Sequence, residues 1–398
     1  MTCSFRLFAG ALLVTLAPAC SDAGGENKGD GNAALQTTLA EPAPEGALAL
    51  DIETIAEGLV NPWSIAFLPE GDILVTERPG RLRIIRDGAL VETSVEGVPE
   101  VHAEAQGGLF EVLPAPDFAD SRRLYLSYAH GTAKANATRI ARATFDGAAL
   151  HDLEVIYEAK PLKDTSLHFG GKLAFGPEGK LFATIGEGSR YKERAQAMST
   201  SFGAVIRLNP DGSIPDGNPD FASDFDDDAL PELWSKGHRN PQGLAFDEAR
   251  GVLWENEHGP RGGDEINMIE KGANYGWPLA TYGIDYSGAR ITPFTEYAGT
   301  KQPIKYWTPS IGVSGLAIYR GDLFPPEWDG DLLVGALAAK ALHRIDLDTD
   351  GKEIGEERYL IGERVRDVRV GADGAIYVTT EDRNGAPVGK VLRLTPRP

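Results

Sequence analysis

The sequence predicts an all-β chain folded as a six-bladed β-propeller of four-stranded blades. Three observations lead there. From Leu48 onward, short runs rich in Val, Ile, Leu and Phe alternate with Gly, Asp, Asn and Pro turns. No stretch carries the 3.6-residue period of an amphipathic helix of ordinary length. One unit also recurs: a strand ending in a hydrophobic pair, a turn, a strand ending in Thr or Glu, then a third strand. It appears as WSIAFLPEGDILVTERPGRLRII, GGLFEVLPAPDFADSRRLYLSY, GKLAFGPEGKLFATIGEG, QGLAFDEARGVLWENEHG, SGLAIYRGDLFPPEWDGDLLVGAL and RDVRVGADGAIYVTTEDRNG. Six copies spaced roughly 45 to 70 residues apart fit propeller blades; a pair of β-sandwiches leaves the sixfold recurrence unexplained.

The elements follow in order. Residues 1–20 carry Arg6, an apolar run from Leu7 to Ala17 and small residues before Cys20, the pattern of a secretory signal too short to span a membrane. Ala17-Pro-Ala19 suits ordinary signal peptidase. Leu16-Ala-Pro-Ala-Cys20 resembles a lipoprotein cleavage box with its leucine one place too far upstream. Both readings expect an exported protein, periplasmic or tethered; a single cysteine kept there in an otherwise Cys-free mature chain favours a lipid anchor on Cys20. Residues 21–46, rich in Gly, Ala, Pro and acidic side chains, form a flexible linker. Residues 47–398 are the propeller domain. The last strand, Lys390-Val-Leu-Arg-Leu, is expected to pair with the strand near Leu48 to Ile55 and close the ring.

Composition narrows the chemistry. A formal charge of −20 and a pI near 4.8 argue against a nucleic-acid or anionic-membrane partner. With only Cys3 and Cys20, the folded part has no disulfide, thiolate nucleophile or Cys-based metal site, and no Cys-x-x-Cys-His haem motif. The seven histidines show no His-x-x-x-His pair. The acidic run Asp224 to Asp228 reads as a solvated loop. Nothing in the sequence reports oligomeric state.

Polar residues concentrate between Pro231 and Pro278, where an Arg-Asn pair, a Gly-Pro-Arg-Gly-Gly loop and an Asn-Tyr-Gly-Trp-Pro turn lie between short apolar strands. Propellers bind ligands where inter-blade loops converge at one end of the channel. Polar residues just after the first and second strands of each blade are therefore the candidates: Gln106, His168, Arg239, Asn240, the Gly259 to Glu265 loop, Ser310, Arg364 and Arg366.

These residues also carry a resemblance. QGGLFEV at Gln106, LHFGGKLAFGPEGKLFATIGEG at Leu167, IRLNPDGSIPDGNP at Ile206, GHRNPQGLAF at Gly237, NEHGPRGGDEIN at Asn256, NYGWPLATYGIDYSG at Asn274 and RVRDV at Arg364 resemble the soluble pyrroloquinoline-quinone (PQQ) sugar dehydrogenases, above all the periplasmic aldose sugar dehydrogenases. The resemblance covers residues 50 to 396. It implies a six-bladed propeller, C1 oxidation of aldoses to lactones, and electron transfer from the quinone to an external acceptor, a quinone or a soluble redox protein. A general base takes the hydroxyl proton, hydride goes to the quinone C5, and calcium polarises the quinone carbonyl.

Residue by residue, the resemblance makes His168 the base; an imidazole titrates in the useful range, although a structural histidine between blades is the bland alternative. Arg239 and Asn240, before Pro241, become donors to the quinone oxygens, against an interblade ion pair and an Asn turn. Gly259 and Pro260 offer carbonyls to calcium, and Glu265 with the backbone of Tyr275 a further calcium position, against simple loop stapling. Tyr286 stands for a cofactor-contacting tyrosine or a core one, and Ser310 for a hydroxyl near the cofactor. Gln106 matches a position that contacts the sugar and belongs with the cofactor set. Arg364 and Arg366, two apart on one strand, suit the carboxylates of a tricarboxylic quinone or surface pairs with Asp367 or Glu363. The family's fifth-blade lysine is alanine here, in Gly335-Ala-Leu-Ala338-Ala339-Lys340, and Lys340 is expected to substitute from the same strand face. Two other functions stay open: a calcium-dependent propeller lactonase or hydrolase, and a binding module without catalysis.

Overall fold

The computed structural model describes residues 48–221 and 228–397. The expected export signal and linker, and all but Asp228 of the Asp224 to Asp228 run, lie outside the described residues.

Strand β1 (Leu50–Leu59) precedes the first blade, built from β2 (Pro62–Phe67), β3 (Ile73–Glu77), β4 (Arg81–Arg86) and β5 (Ala89–Leu90). The second holds β6 (Leu109–Pro114), β7 (Arg123–Thr132), β8 (Ala135–Phe145) and β9 (Leu150–Glu158). The third holds β10 (Gly170–Phe175), β11 (Leu181–Ile185), β12 (Ala204–Leu208) and β13 (Leu233–Lys236). Blade four comprises β14 (Pro241–Asp247), β15 (Val252–Glu257), β16 (Asp264–Ile269) and β17 (Lys305–Trp307). Blade five comprises β18 (Val313–Ile318), β19 (Leu332–Ala336), β20 (Ala341–Leu347) and β21 (Glu353–Leu360). Blade six is β22 (Arg364–Val370), β23 (Ile376–Glu381) and β24 (Gly389–Pro396), with β1 as its outermost strand. Each blade is an antiparallel four-stranded sheet, as the repeat requires. The expected closure forms: β1 pairs antiparallel with β24, Ile52 opposite Leu394 and Leu50 opposite Pro396.

Alternation along the strands puts apolar side chains on both faces of every blade, and the core is six seams between neighbours. Leu74 and Leu82 meet Leu109 and Leu124 between blades one and two. Trp254 and Ile266 meet Val313 and Leu316 between four and five, and Leu59 and Val391 meet Ile65 and Val75 where the ring closes. Each large apolar side chain fully buried there contributes about 1.5–3 kcal/mol.

Two features of the channel position the site. Each inner strand carries a bulge next to its first residue, between Pro62 and Ser64, Leu109 and Val112, Gly170 and Leu173, Pro241 and Gly243, Val313 and Leu316, and Val365 and Asp367. The extra residue re-aims the side chains that start the strand. Deeper in, buried Lys172 reaches Asp367 at 2.7 Å and Glu111 at 3.0 Å, and Arg369 also pairs with Asp367 at 3.2 Å and Glu111 at 2.5 Å. Ser64 donates to Glu111 at 2.7 Å, so the network ties together blades one, two, three and six.

Candidate functional site

A cavity of about 320 Å³ opens at one end of the channel, with lining from all six blades. Its floor is aromatic: Trp63, Phe110 and Phe169 pack with ring centroids 5.3 and 5.6 Å apart. Its charged lining is Arg78, Arg364, Arg366 and Arg383 against the single carboxylate of Glu381, a net of three positive charges in a protein of charge −20. Arg366 grips Glu381 through Nε and Nη2, both at 3.0 Å, and Arg364 Nη2 reaches it at 3.2 Å. Burial alone would raise the Glu381 pKa, but the Arg366 and Arg364 guanidiniums hold it below the usual range. Gln242 accepts from Arg366 at 3.1 Å. The two arginines thus converge as the sequence expected, though on Glu381; Asp367 belongs to the Lys172 network and Glu363 pairs with Lys390.

Sequence reasoning sought site residues after the first and second strands of each blade, and the structure corrects half of that. Antiparallel pairing brings the start of the first strand and the end of the second to the same end of the channel. Gln106, His168, Arg239, Asn240 and Ser310 all precede their inner strand, and Arg364 begins one.

His168 sits behind Phe169, buried, with φ of +46°. Its Nδ1 lies 3.0 Å from Glu187 Oε1, and its backbone N–H donates to Gln106 Oε1 at 2.8 Å. Burial and the nearby Arg239 guanidinium lower its pKa, with Glu187 opposing them. Donation from Nδ1–H to Glu187 leaves the Nε2 lone pair for a substrate proton. Close packing demands the flanking glycines: a Cβ on Gly186 would lie 2.4 Å from the His168 carbonyl, and one on Gly170 2.6 Å from that of Thr184. Asn240 Oδ1 accepts from the Gly170 N–H at 3.2 Å. Beneath the loop, Lys163 donates to the carbonyls of Thr165 and Leu167 at 2.8 and 2.7 Å and lies 3.3 Å from the Phe169 ring centroid. Burial pushes its pKa down to about 7.

Blade four supplies the second half. Arg239 donates to the carbonyls of His258 at 3.0 Å and Gly259 at 2.7 Å and lies over Trp277. The backbone N–H groups of Arg239 and Asn240 both donate to Glu257 Oε2, the latter at 3.2 Å. Gly259, Pro260, Glu265 and Tyr275, the four expected calcium residues, line one cleft of about 10 Å³ together with Glu257 and Arg239. That volume suits one water-sized occupant, and the donors are carboxylates and carbonyls, the oxygen set a hard cation takes. Burial and the Glu257 carboxylate raise the Glu265 pKa well above its usual range. The Tyr275 hydroxyl is committed to the Met268 carbonyl at 2.5 Å, so only its backbone remains to serve an ion.

Of the expected cofactor and catalytic residues, Gln106, Asn240, Arg364 and Arg366 line the channel cavity; His168 is buried next to its lining residues Phe169 and Gly170, and Arg239 lines the small cleft. Three others stand apart from both. Tyr286 is 63% exposed and lines neither. Ser310 accepts from the Gly262 N–H at 3.1 Å and staples that loop. Lys340 lies past the end of β19 in a turn with φ of +54°, so strand alternation does not govern it; its side chain lines an adjoining outer cleft of about 810 Å³ with Arg364 and Arg383.

Sequence reasoning missed Arg78, Glu187, Glu257 and Glu381, which share one signal. Each ends or closely follows the second strand of its blade, where the repeat shows Thr or Glu. The three glutamates and Glu77 act alike. Glu77 accepts from the Val60 N–H at 2.5 Å, Glu257 from the N–H groups of Arg239 and Asn240, Glu187 binds the His168 ring and Glu381 binds Arg364. In four blades a carboxylate thus fixes the chain just as it enters the inner strand.

Comparison with known proteins adds to this geometry. Residues 59–393 match the family model described as Glucose / Sorbosone dehydrogenase. The chain is 42% identical over 357 residues to the aldose sugar dehydrogenase YliI of Escherichia coli, covering 87% of this chain and 93% of that one. The crystal structure of the soluble E. coli aldose sugar dehydrogenase in its apo form superposes with a TM-score of 0.82 at 40% identity, over 88% of this chain and all of the other. The PQQ-bound aldose sugar dehydrogenase of Streptomyces coelicolor superposes with a TM-score of 0.71 at 26% identity, over 88% of this chain and 99% of the other.

Proposed function

The chain belongs to the glucose/sorbosone dehydrogenase family, and on that premise we propose that it oxidises aldoses at C1 to lactones with PQQ and calcium, passing electrons to an external acceptor. The observation that carries the reading is the cavity itself, an aromatic floor under four guanidiniums beside a buried imidazole–carboxylate pair. A flat tricarboxylate finds there a stacking surface and cations for its carboxylates.

In this reading Arg78, Arg364 and Arg366 hold the carboxylates, with Gln106, Asn240 and Arg239 as further donors, and Gly259, Pro260, Glu265 and the Tyr275 backbone hold calcium. Bound there, the quinone supplies the hydride acceptor and calcium polarises it. His168 Nε2 takes the C1 hydroxyl proton, and Glu187 orients the ring and stabilises the imidazolium that forms. Arg239 places a positive charge where negative charge develops. Lys340, in the outer cleft beside Arg364, is suited to the rim of the site and not to its floor; Ser310 and Tyr286 act at a remove or not at all. The N-terminal segment supports export, with Cys20 as a lipid anchor.

A calcium-only lactonase is the weaker reading, because four guanidiniums crowd the channel mouth where such an ion would sit. Reconstitution tests the choice. Apo-protein, calcium and PQQ are mixed and dye reduction by glucose and other aldoses is followed. Quinone-dependent reduction supports the reading; no quinone binding and no turnover with any aldose overturns it.

A further inference from the structure

Between blades three and four, beside the expected calcium cleft, lies a second group of donors that this function leaves unused. β15 and β16 pair Glu255 with Asn267 and Glu257 with Glu265, so these four side chains share one face. His238 closes the group from the loop before β14. Glu255, Asn267 and His238 are fully buried and Glu257 is 3% exposed. His238 Nδ1 lies 3.3 Å from Glu257 Oε1 and 3.8 Å from Glu255 Oε2. The Asn267 amide reaches Glu255 Oε2 at 3.0 Å and Glu257 Oε1 at 3.5 Å. Tyr275 stacks on the His238 ring at 4.7 Å, and Ser235 Oγ lies 2.9 Å from its Nε2, where it can accept that proton and free Nδ1.

We propose that His238 Nδ1, Glu255, Glu257 Oε1 and the Asn267 amide oxygen form a buried site for a small divalent cation of the zinc class. Four donors about 2.1 Å from an ion at a tetrahedron's centre stand about 3.4 Å from one another. The four distances above, 3.0 to 3.8 Å, bracket that edge. One imidazole nitrogen with oxygen donors, in a space this tight, suits zinc over the larger calcium.

A second observation points to a missing ligand. Glu255 Oε1 and Asn267 Oδ1 are buried and have no hydrogen-bond partner. Asn267 aims its amide into the group, and rotating that amide by half a turn exchanges its nitrogen for the orphaned oxygen. Buried carboxylates need a counter-charge, and among the described residues Glu255 has no ion-pair partner beyond the His238 imidazole. The group adjoins the calcium cleft, which Glu257 and Tyr275 also line; within the group Glu257 presents Oε1 to His238, while its Oε2 accepts from the Arg239 and Asn240 N–H groups.

The test uses full-length protein expressed with added zinc and dialysed against a chelator, with metal content measured by mass spectrometry and position by anomalous scattering at the zinc edge. Wild type should hold one zinc per chain between His238 and Glu255. Glu255→Gln should hold less than a tenth of that, while Glu265→Gln keeps it. A zinc-selective chelator added with excess calcium during refolding should lower the Tm of wild type and leave that of Glu255→Leu unchanged, a readout independent of sugar oxidation. Zinc-free wild type, equal zinc in Glu255→Gln, or loss in Glu265→Gln alone would each overturn the site.

Discussion

Glu187 Oε1 stands 3.0 Å from His168 Nδ1, while the Glu187 backbone N–H is held by the Arg239 carbonyl at the same distance. The proposed base, the carboxylate that orients it and the proposed electrophilic arginine are therefore one mechanical unit spanning blades three and four. Moving any one of them moves the others.

Glu187→Gln should lower kcat about 10- to 100-fold with little change in quinone binding, because it loosens the ring without emptying the cavity. It should also move the acid limb of the kcat profile to lower pH, since Glu187 is the group that raises the His168 pKa. A pH–rate series on variant and wild type checks both; an unmoved limb refutes the orienting role.

His168→Ala should retain quinone and lose turnover by about 10²–10⁴-fold, the usual worth of a positioned base. Stopped-flow reduction of the loaded enzyme separates this from a binding defect.

Arg366→Lys should raise the quinone Kd about 10- to 100-fold, because an ammonium cannot replace a bidentate fork. Fluorescence titration reads it. Arg366 also holds Glu381 through two bonds, so the substitution should leave the Arg364 contact and the fold intact by circular dichroism.

His258 gives a stability signature. Burial, with Arg366 and Arg239 adding to it, lowers its pKa from 6.5 to about 3. The unfolded chain binds a proton there that the folded chain refuses. Its contribution is full above about pH 6.5 and is lost as pH falls toward 3, on the order of 2 kcal/mol after allowance for the partly exposed ring. Urea midpoints of wild type and His258→Asn at pH 7 and pH 4.5 should converge at the lower pH.

Leu59→Ala, at the seam where the ring closes, should cost about 2–5 kcal/mol by urea denaturation, since Leu59 is fully buried against Ile65 and Val75. A loss below about 1 kcal/mol would mean that the closing strand is not part of the cooperative unit.

The fold was legible because a blade writes itself into sequence: two-residue alternation and Gly-rich turns recur six times, and Lys390-Val-Leu-Arg-Leu was readable as the closing strand. Much of the site was visible as polar loop residues, although they were expected after the first strands of the blades and in fact precede them. The rest was hidden for definite reasons. Glu187 and Glu381 lie at the ends of second strands, and nothing local distinguishes them from solvent-facing carboxylates until the sheets bring them against His168 and Arg366. Lys340 was misplaced because two-residue alternation was carried past the last strand residue, Ala336, into a turn. Tyr286 is expected only through the family resemblance, and its place outside the channel cavity is set by a long loop whose path no periodicity encodes.

The Lys172, Glu111, Asp367 and Arg369 network has a consequence for traffic. With those ionic side chains crammed shoulder to shoulder beneath Trp63, the propeller's axle is a well and not a pipe. Sugar, lactone and electron acceptor share one doorway on the proposed chemistry, and a narrow doorway enforces a queue. The lactone must step out before the acceptor can draw near, so initial-rate plots at several acceptor concentrations should run parallel, and a bulky acceptor should be slowed most by excess sugar.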